Sequence, residues 1–571
     1  MRSLRFLALF ALLYVAVVAP HLSVAYLDFG DGNYLYIARR MTEGVVLYRD
    51  ILAPQPPCHL LVGSLLVRLS RLLGHSTEAE LYTVRLFSLL LHLATMVVIW
   101  AIARRLFRRE STAIWAAGLY MVIPVGFWWT LSYESEPLEL FFLLLSFLLV
   151  IRWDNRSLAG AGLLAALGMA TNMTAVPYVG WTALFLLWHD RRRAIWYLTP
   201  AVVLSLAVVG LGEWLSGGHY LENVFFNQVG TFPHPDLMGG LPPDAPFRSL
   251  RIILGYALMK VAGQGSKILA LEGVFISAAV AGILIYLSRE SVRSSHFSGQ
   301  EDEPDPLKWG LHTSHTDPLK WELRTADAAA PSYHRSFVGW YAFWSFMAIG
   351  FVAKGATEDY IFTIGEPFVC LFAAYAIYSL GDRLFGDARV GQVGNLPSIF
   401  GFRIPRLLPT TVGLLGLVVL FARPVLWINE VVRQQRAYEL DAANVKKVRV
   451  LIEQHSKPGD AILAAPYYAF IASRNLAEEH SELFIWHIKY LLEQGVERTE
   501  GPATRKVEAI AAALRKKAIP VIVIDLNRGD RTPRQIFSIP SVREAIGQNY
   551  RPLLPEPIPT LNASINVMIP R

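Results

Sequence analysis

The chain has 571 residues, 53% of them hydrophobic and 17% charged. The apolar residues fall in long blocks, which excludes one large soluble core and indicates a polytopic membrane protein. A formal net charge of +7 does not indicate a nucleic-acid partner, because the Arg clusters at 104–109 and 191–193 stand at the ends of apolar runs, the positive-inside pattern of cytoplasmic loops.

In chain order, Met1 to Arg5 precede about twenty apolar residues without a clear small-residue cleavage site, and this segment reads as a retained first span. The hydropathy pattern predicts about eleven spans. They lie near 4–25, 83–103, 111–129, 137–152, 158–172, 173–188, 195–214, 273–288, 337–353, 361–380 and 408–428. With the N-terminus inside, the basic loops 104–110, 152–156 and 189–194 and the hydrophilic segment 289–336 share the cytoplasmic side. Counting 58–74 as a span would break that agreement, so Arg68 and Arg71 mark it as a helix lying at the membrane interface. Residues 289–336 carry DPLKW twice, at 305–309 and 317–321, which reads as a loop expansion. The Gly- and Pro-rich loop 215–266 is external, as a lid over the active face or as a simple connector.

From about Asn429 no span remains. A turn at 457–460 leads into a strand at 461–465, a helical run covers 506–517, and a second strand covers 519–525. The predicted fold is therefore an α-helical polytopic membrane protein of about eleven transmembrane helices with a small C-terminal α/β extracytoplasmic domain. Residues 1–428 form the membrane domain, with a first external loop at 26–82 and the cytoplasmic insert at 289–336, and residues 429–571 form the external domain. Two cysteines, Cys58 and Cys370, give neither a disulfide framework nor a cysteine metal site.

The polar stretch 28–59, between the first span and the next apolar segments, is the candidate active-site loop. Asp31 opens a short helix in which Tyr34, Ile37, Ala38 and Met41 recur at helical spacing, with Gly44 as its stop. Pro54, Pro56 and Pro57 stiffen the return. Three acidic sites share the external face: Asp28 and Asp31, Glu134 and Glu136, and Glu358 and Asp359. Carboxylates at membrane boundaries are costly to desolvate, so each points to function. Each also has a structural reading: Asp31 as a helix cap, Glu136 as a helix-start residue before Pro137, and Glu358 and Asp359 as solvated loop charges.

The run DGNYLYIARRMTEG (31–44), then LYRD (47–50) and QPPCH (55–59), resembles the first external loop of the polytopic glycosyltransferases of the C superfamily, in particular the protein O-mannosyltransferase and aminoarabinose transferase group. The segments SEPLELFF (135–142), DYIFTIGEP (359–367) and PGDAILAAP (458–466) follow in the order that group shows. The resemblance implies a membrane glycosyltransferase that passes a sugar from a polyprenyl-phosphate-linked donor to an extracytoplasmic glycan, lipid or protein acceptor, with inversion. It implies a multi-pass protein of the plasma membrane, in a bacterium the inner membrane, with the active site and C-terminal domain outside. The group's loop Asp carries over to Asp31, with Asp28 as the alternative register. Matching positions for substrate contacts are Tyr34, Arg39, Arg49, His59, Glu134, Glu136, Lys354, Asp359 and Tyr360. Arg40, Lys260 and Lys267 are further phosphate candidates, whereas Gln55 stands where some relatives place Lys before the Pro pair. No cofactor is implied beyond the lipid-linked donor, and a divalent metal is left open. A transporter or lipid flippase, which needs ionisable residues at mid-span, and a non-catalytic membrane scaffold are the competing classes.

Overall fold

The computed structural model describes residues 2–22, 29–74, 76–122, 132–226, 278–283, 337–341, 366–386, 442–480, 502–525, 537, 539–559 and 564–571. The helices in order are α1 (Arg2–Val18), α2 (Phe29–Thr42), α3 (Pro57–Leu73), α4 (Thr77–Phe107), α5 (Glu110–Val122), α6 (Ser135–Val150), α7 (Asn155–Thr171), α8 (Ala175–His189), α9 (Arg191–Ser216) and α10 (Glu366–Gly386). The C-terminal segment adds α11 (442–455), α12 (Pro466–Ile471), α13 (Pro502–Arg515) and α14 (Pro540–Asn549).

The helix starts follow from capping chemistry. Ser76 Oγ accepts from the amide of Ala79 at the head of α4, Asp154 caps α7 through Ser157 N, and Asp190 caps α9 through Arg192 N and Arg193 N. One apolar core joins α1, α4, α5, α6, α7, α8 and α10 through Tyr14, Ile99, Ala116, Phe147, Ala165, Phe185 and Phe372. Where α7 crosses α9 a side chain is excluded: a Cβ on Gly162 would lie 2.1 Å from the carbonyl oxygen of Tyr197.

Among the described residues, two helices are long and apolar enough to cross a membrane, Thr77–Phe107 and Arg191–Ser216. The segments expected near 158–172 and 173–188 are separate helices of 17 and 15 residues. At about 1.5 Å per residue they rise only about 23–26 Å, short of a hydrocarbon core of about 30 Å. The expected span 83–103 begins earlier, at Thr77, because Ser76 caps a polar first turn. Spans 273–288 and 337–353 are helical over 278–283 and 337–341. The span 408–428, the insert 289–336 and the loop from 227 to 266 lie outside the described residues.

Helix α3 has two distinct faces. Leu61, Leu65, Leu69 and Leu72 are exposed at i, i+4, i+8 and i+11, while His59, Leu60, Val67 and Ser70 are buried. An apolar stripe facing outward beside Arg68 and Arg71 suits a helix lying along a membrane surface, as its sequence suggests.

The C-terminal strands are β1 (Ala461–Ile462), β2 (Asn475–Leu476), β3 (Ile522–Asp525), β4 (Tyr550–Pro552), β5 (Ile558–Pro559) and β6 (Ser564–Pro570). Strand β6 pairs antiparallel with β3, β4 and β5, and β1 pairs parallel with β2. A parallel bridge from Leu463 to Ile522 joins the two sheets, with α13 and α14 packed on β3 through Ile510, Leu514, Val542 and Ile546. This segment also shares a core with the first loop: Leu35, Ile37 and Ile51 pack with Val448, Ile462, Phe470 and Val523. The stretch read from the sequence as central therefore sits between the membrane helices and the C-terminal sheet.

Candidate functional site

Helix α2 starts at Phe29, two residues before the expected start. Asp31 is therefore the third residue of the first turn rather than its opening cap, a place where the positive end of the helix dipole favours a carboxylate. The stop is where the sequence puts it: Gly44 has φ +94° and the amide of Val45 returns to the carbonyl of Arg40 at 3.1 Å.

The helix has two packed faces. Positions 31, 34 and 38 fall at i, i+3 and i+7 and form one of them. On it the Tyr34 ring meets His59 edge-on at 5.0 Å, and Ala38 lies against Gly63 of α3. The Tyr34 hydroxyl accepts a 2.6 Å hydrogen bond from Gln55 Nε2, so the helix is tied to the Pro-rich return. Positions 32, 36, 39, 40 and 43 form the second face, at i, i+4, i+7, i+8 and i+11. Gly32 lies against Tyr467 of α12, and Tyr36, Arg39 and Arg40 reach the C-terminal segment.

Arg39 is buried and engaged on all three guanidinium nitrogens: Nε donates to Glu80 at 2.7 Å, one terminal nitrogen to the carbonyl of Phe470 at 2.7 Å, and the other to Thr77 Oγ1 at 3.3 Å. The guanidinium also stacks over the Phe470 ring at 3.8 Å. Burial pulls its pKa down, and Glu80 opposes that pull. Arg40 binds Glu479 through two nitrogens and also pairs with Glu43. Burial works against its charge, but Glu479 and Glu43 together hold its pKa above the ordinary value. Arg49 is exposed and pairs with its neighbour Asp50, whose carboxyl it holds below the usual range.

The loop from Val45 to Pro56 is fastened at several points. Tyr48, at φ 69°, donates its hydroxyl to the carbonyl of Gln55 at 2.8 Å and meets the Tyr220 ring edge-on at 5.1 Å. Lys506 of α13 donates to the carbonyls of Asp50 at 2.6 Å and Glu478 at 2.8 Å.

His59 is fully buried, stacked on Tyr133 at 4.1 Å, and neither ring nitrogen has a hydrogen-bond partner. Burial drives its pKa to about 3, so at neutral pH it is an uncharged hydrogen-bonding group and not a cation for phosphate. Among the described residues ten buried side-chain atoms lack a partner, and five of them belong to Asn33, Gln55 and His59. Buried polar atoms without partners are costly and rare, so their concentration in this stretch makes it the candidate site for a polar ligand.

Glu134 takes the N-cap position of α6 without capping it through its side chain. Glu136 is buried and accepts from Asn172 Nδ2 and from Ser135 Oγ, both at 3.2 Å. It is linked to the loop through the chain itself: the Cys58 thiol meets Thr171, Thr171 precedes Asn172, and Tyr133 Oη donates to the carbonyl of His59 at 2.6 Å. Asp28, Lys260, Lys267, Lys354, Glu358, Asp359 and Tyr360 lie outside the described residues, as do the side chain of Asp31 and its contacts. No group of three His, Cys, Asp or Glu side chains suited to a metal ion occurs among the described residues.

Three features escaped the sequence reading. Asn33 is a buried helical amide with no partner. Glu139 is fully buried one turn beyond Glu136 and accepts the Thr174 hydroxyl on both oxygens, at 2.6 and 2.7 Å. Tyr36 is held by Glu479 and Leu476. The i, i+3 spacing of Glu136 and Glu139 and the i, i+4 spacing of Gly32, Tyr36 and Arg40 were the available signals.

The described residues form a largely helical assembly in which the first loop packs on a C-terminal sheet. The family model for dolichyl-phosphate-mannose-protein mannosyltransferase matches residues 55–212, and over that stretch it bears out the resemblance carried by the motifs. Three solved structures are similar at low identity. ArnT from Cupriavidus metallidurans bound to undecaprenyl phosphate is 14% identical, with a TM-score of 0.49 over 98% of this chain and 97% of that one. The archaeal oligosaccharyltransferase AglB from Archaeoglobus fulgidus, in complex with an inhibitory peptide and a dolichol-phosphate, is 12% identical, with a TM-score of 0.44 over 92% and 69%. The S. cerevisiae Pmt1-Pmt2 complex bound to the sugar donor is 13% identical, with a TM-score of 0.28 over 41% and 34%. No curated protein matches the chain.

Proposed function

We propose that the chain is a membrane glycosyltransferase that moves a sugar from a polyprenyl-phosphate-linked donor to an acceptor hydroxyl outside the cytoplasm, with Asp31 as the base and Asp28 as its alternative. The observation that carries this reading is the first loop itself, where a helix bearing Asp31 is packed on both faces next to five unpartnered buried polar atoms. The family match over residues 55–212 supports the donor class.

The chemistry suits these residues. The acceptor oxygen attacks the anomeric carbon in line, a new C–O bond forms there, and the bond to the donor phosphate oxygen breaks. The electron pair leaves on the polyprenyl phosphate, which departs as a stable anion and needs no strong general acid. The hydroxyl proton passes to the carboxylate of Asp31, and the anomeric configuration inverts. Neutral His59 and Gln55 are suited to sugar hydroxyls, while Arg49, Lys260, Lys267 and Lys354 are the cations left for the phosphate, since Arg39 and Arg40 are engaged within the protein. Glu134 and Glu136 at the start of α6, with Asp359 and Tyr360, are the further substrate contacts that the resemblance implies. Residues such as Val448, Ile462, Phe470 and Val523 pack against α2, which supports placing the C-terminal domain on the same side as the loop. Mass analysis of cell-envelope glycans, glycolipids and glycoproteins with and without this protein tests the reading. It predicts loss of one sugar from one acceptor and a rise in its lipid-linked donor, and an unchanged glycan profile would refute it.

A further inference from the structure

Helix α2 is short; Leu35 and Ile37 anchor it in an apolar core with the C-terminal segment, and its second face, which carries few apolar residues, is held by polar contacts. Beside the bonds of Arg39 to Thr77 and Glu80 of α4, the contacts of Tyr36, Arg39 and Arg40 on that face reach the C-terminal segment 466–479. Tyr36 donates its hydroxyl to Glu479 Oε2 at 2.8 Å and accepts the amide of Leu476 at 2.7 Å. Arg40 donates to Glu479 Oε1 from Nε at 2.9 Å and from a terminal nitrogen at 2.5 Å. One carboxylate therefore holds two successive turns of the helix, and both of its oxygens are used.

The backbone supplying this carboxylate is unusual. Glu478 and Glu479 both stand in the left-handed region, at φ 55° and 46°. Side-chain-bearing residues seldom adopt that conformation, and two in succession persist only where their surroundings over-determine them. Here the surroundings are Tyr36 and Arg40 on one side and Lys506, bonded to the carbonyl of Glu478, on the other. The same lysine bonds the carbonyl of Asp50, so the far end of the catalytic loop is fixed to the same point. Gly32 completes the fit, since a Cβ there would lie 2.8 Å from Cβ of Tyr467.

We propose that the segment 466–479 is a positioning element of the active site, in which Glu479, gripping Tyr36 and Arg40, sets where helix α2 places Asp31 relative to the donor. The proposal rests on the reading of Asp31 as base. Both oxygens of Glu479 are taken up by Tyr36 and Arg40. Its effect passes through the helix, so it should govern turnover and leave donor binding nearly unchanged. A base must stand within hydrogen-bond reach of the hydroxyl it deprotonates, and misplacement by about 1 Å can cost about 10²-fold in rate.

The test compares Glu479→Gln, Tyr36→Phe, their double variant and Asp31→Asn. Turnover is followed in membranes on the glycan that disappears without the protein, and affinity is measured on purified protein with polyprenyl phosphate alone. Glu479→Gln keeps size and an acceptor for Tyr36 but cannot neutralise Arg40. Tyr36→Phe removes only a hydroxyl and carries the test if the first variant fails to fold. The expected result is a turnover loss of about 10-fold or more in each single variant, with polyprenyl phosphate affinity held in protein that is still folded. The double variant should be no worse than the poorer single one, because both act through one grip. Wild-type turnover in Glu479→Gln and Tyr36→Phe beside an inactive Asp31→Asn would overturn the positioning role alone. Full turnover in Asp31→Asn would overturn the base assignment and the role built on it.

Discussion

Replacing Gly32 with Ala tests the contact between the first loop and the C-terminal segment at its tightest point. The added Cβ would lie 2.8 Å from Cβ and 3.1 Å from Cα of Tyr467. Carbon atoms pack at about 3.5–4.0 Å, and neither Tyr467 atom can rotate away, so α2 and α12 must part by roughly 1 Å. Helix propensity alone would make the change stabilising by about 1 kcal/mol. Overpacking costs about 1–3 kcal/mol, so the net change is on the order of 0–2 kcal/mol of destabilisation. Function should suffer more, because a shift of that size would carry the 2.8 Å Tyr36–Glu479 and 2.7 Å Arg39–Phe470 bonds beyond hydrogen-bonding distance. Thermal unfolding in detergent, paired with product formation in membranes, separates the two effects. Tyr467→Gly removes the colliding Cβ and should return part of the activity to Gly32→Ala. A Gly32→Ala protein that is more stable than the parent and fully active would refute the close approach and the coupling derived from it.

Three further outcomes are expected. Glu80→Ala leaves the buried Arg39 without its carboxylate and should cost about 3–5 kcal/mol of stability, and a loss below about 1 kcal/mol in denaturant titration would contradict the pairing. His59 is neutral in the fold because its pKa falls from 6.5 to about 3. The unfolded chain alone takes up its proton below pH 6.5, so this contribution is whole above that pH and is lost as pH falls toward 3. His59→Phe should accordingly remove about 2 kcal/mol of the stability difference between pH 7 and pH 5, and an unchanged difference would show that the ring is charged or exposed. A cysteine in place of the exposed Glu556 should react with a membrane-impermeant reagent in intact cells, with the parent chain as blank. Reaction only after lysis would invert the topology.

Several parts of this fold are legible in the sequence because they depend on local chemistry. Gly44 ends α2 because only a left-handed residue fits there, and the outward leucines of α3 follow one another at helical spacing. The strands at Ala461 and Ile522 follow from apolar runs after a turn and a helix, and their joining bridge is what two buried runs would form. The first residue of α2 is less legible: Asp31 is a good start residue, yet the helix already runs from Phe29. Arg39 shows a deeper limit. An Arg in a catalytic loop reads as a phosphate ligand, yet here it holds Glu80 and the carbonyl of Phe470, the latter 431 residues away in sequence. Tyr36 and Glu479 are 443 residues apart, and no local pattern couples them. Glu139 escaped notice because its neighbours in α6 are almost all apolar, and its polar partner Thr174 lies across a helix break.

The central claim is that Asp31 takes the acceptor proton, and Asp31→Asn tests it most directly. Asn keeps the size of the side chain and suits the first turn of a helix, so a merely structural role predicts little change. An amide cannot accept the proton, and general-base contributions are typically about 10² to 10⁴-fold. The measurement is turnover of purified Asp31→Asn and Asp28→Asn proteins on the lipid-linked donor that accumulates when the protein is absent, alongside affinity for polyprenyl phosphate. The account predicts that Asp31→Asn loses transfer while holding the lipid phosphate as tightly as the parent. Full activity in Asp31→Asn with loss in Asp28→Asn would move the base to Asp28, and full activity in both would contradict the loop as the catalytic centre.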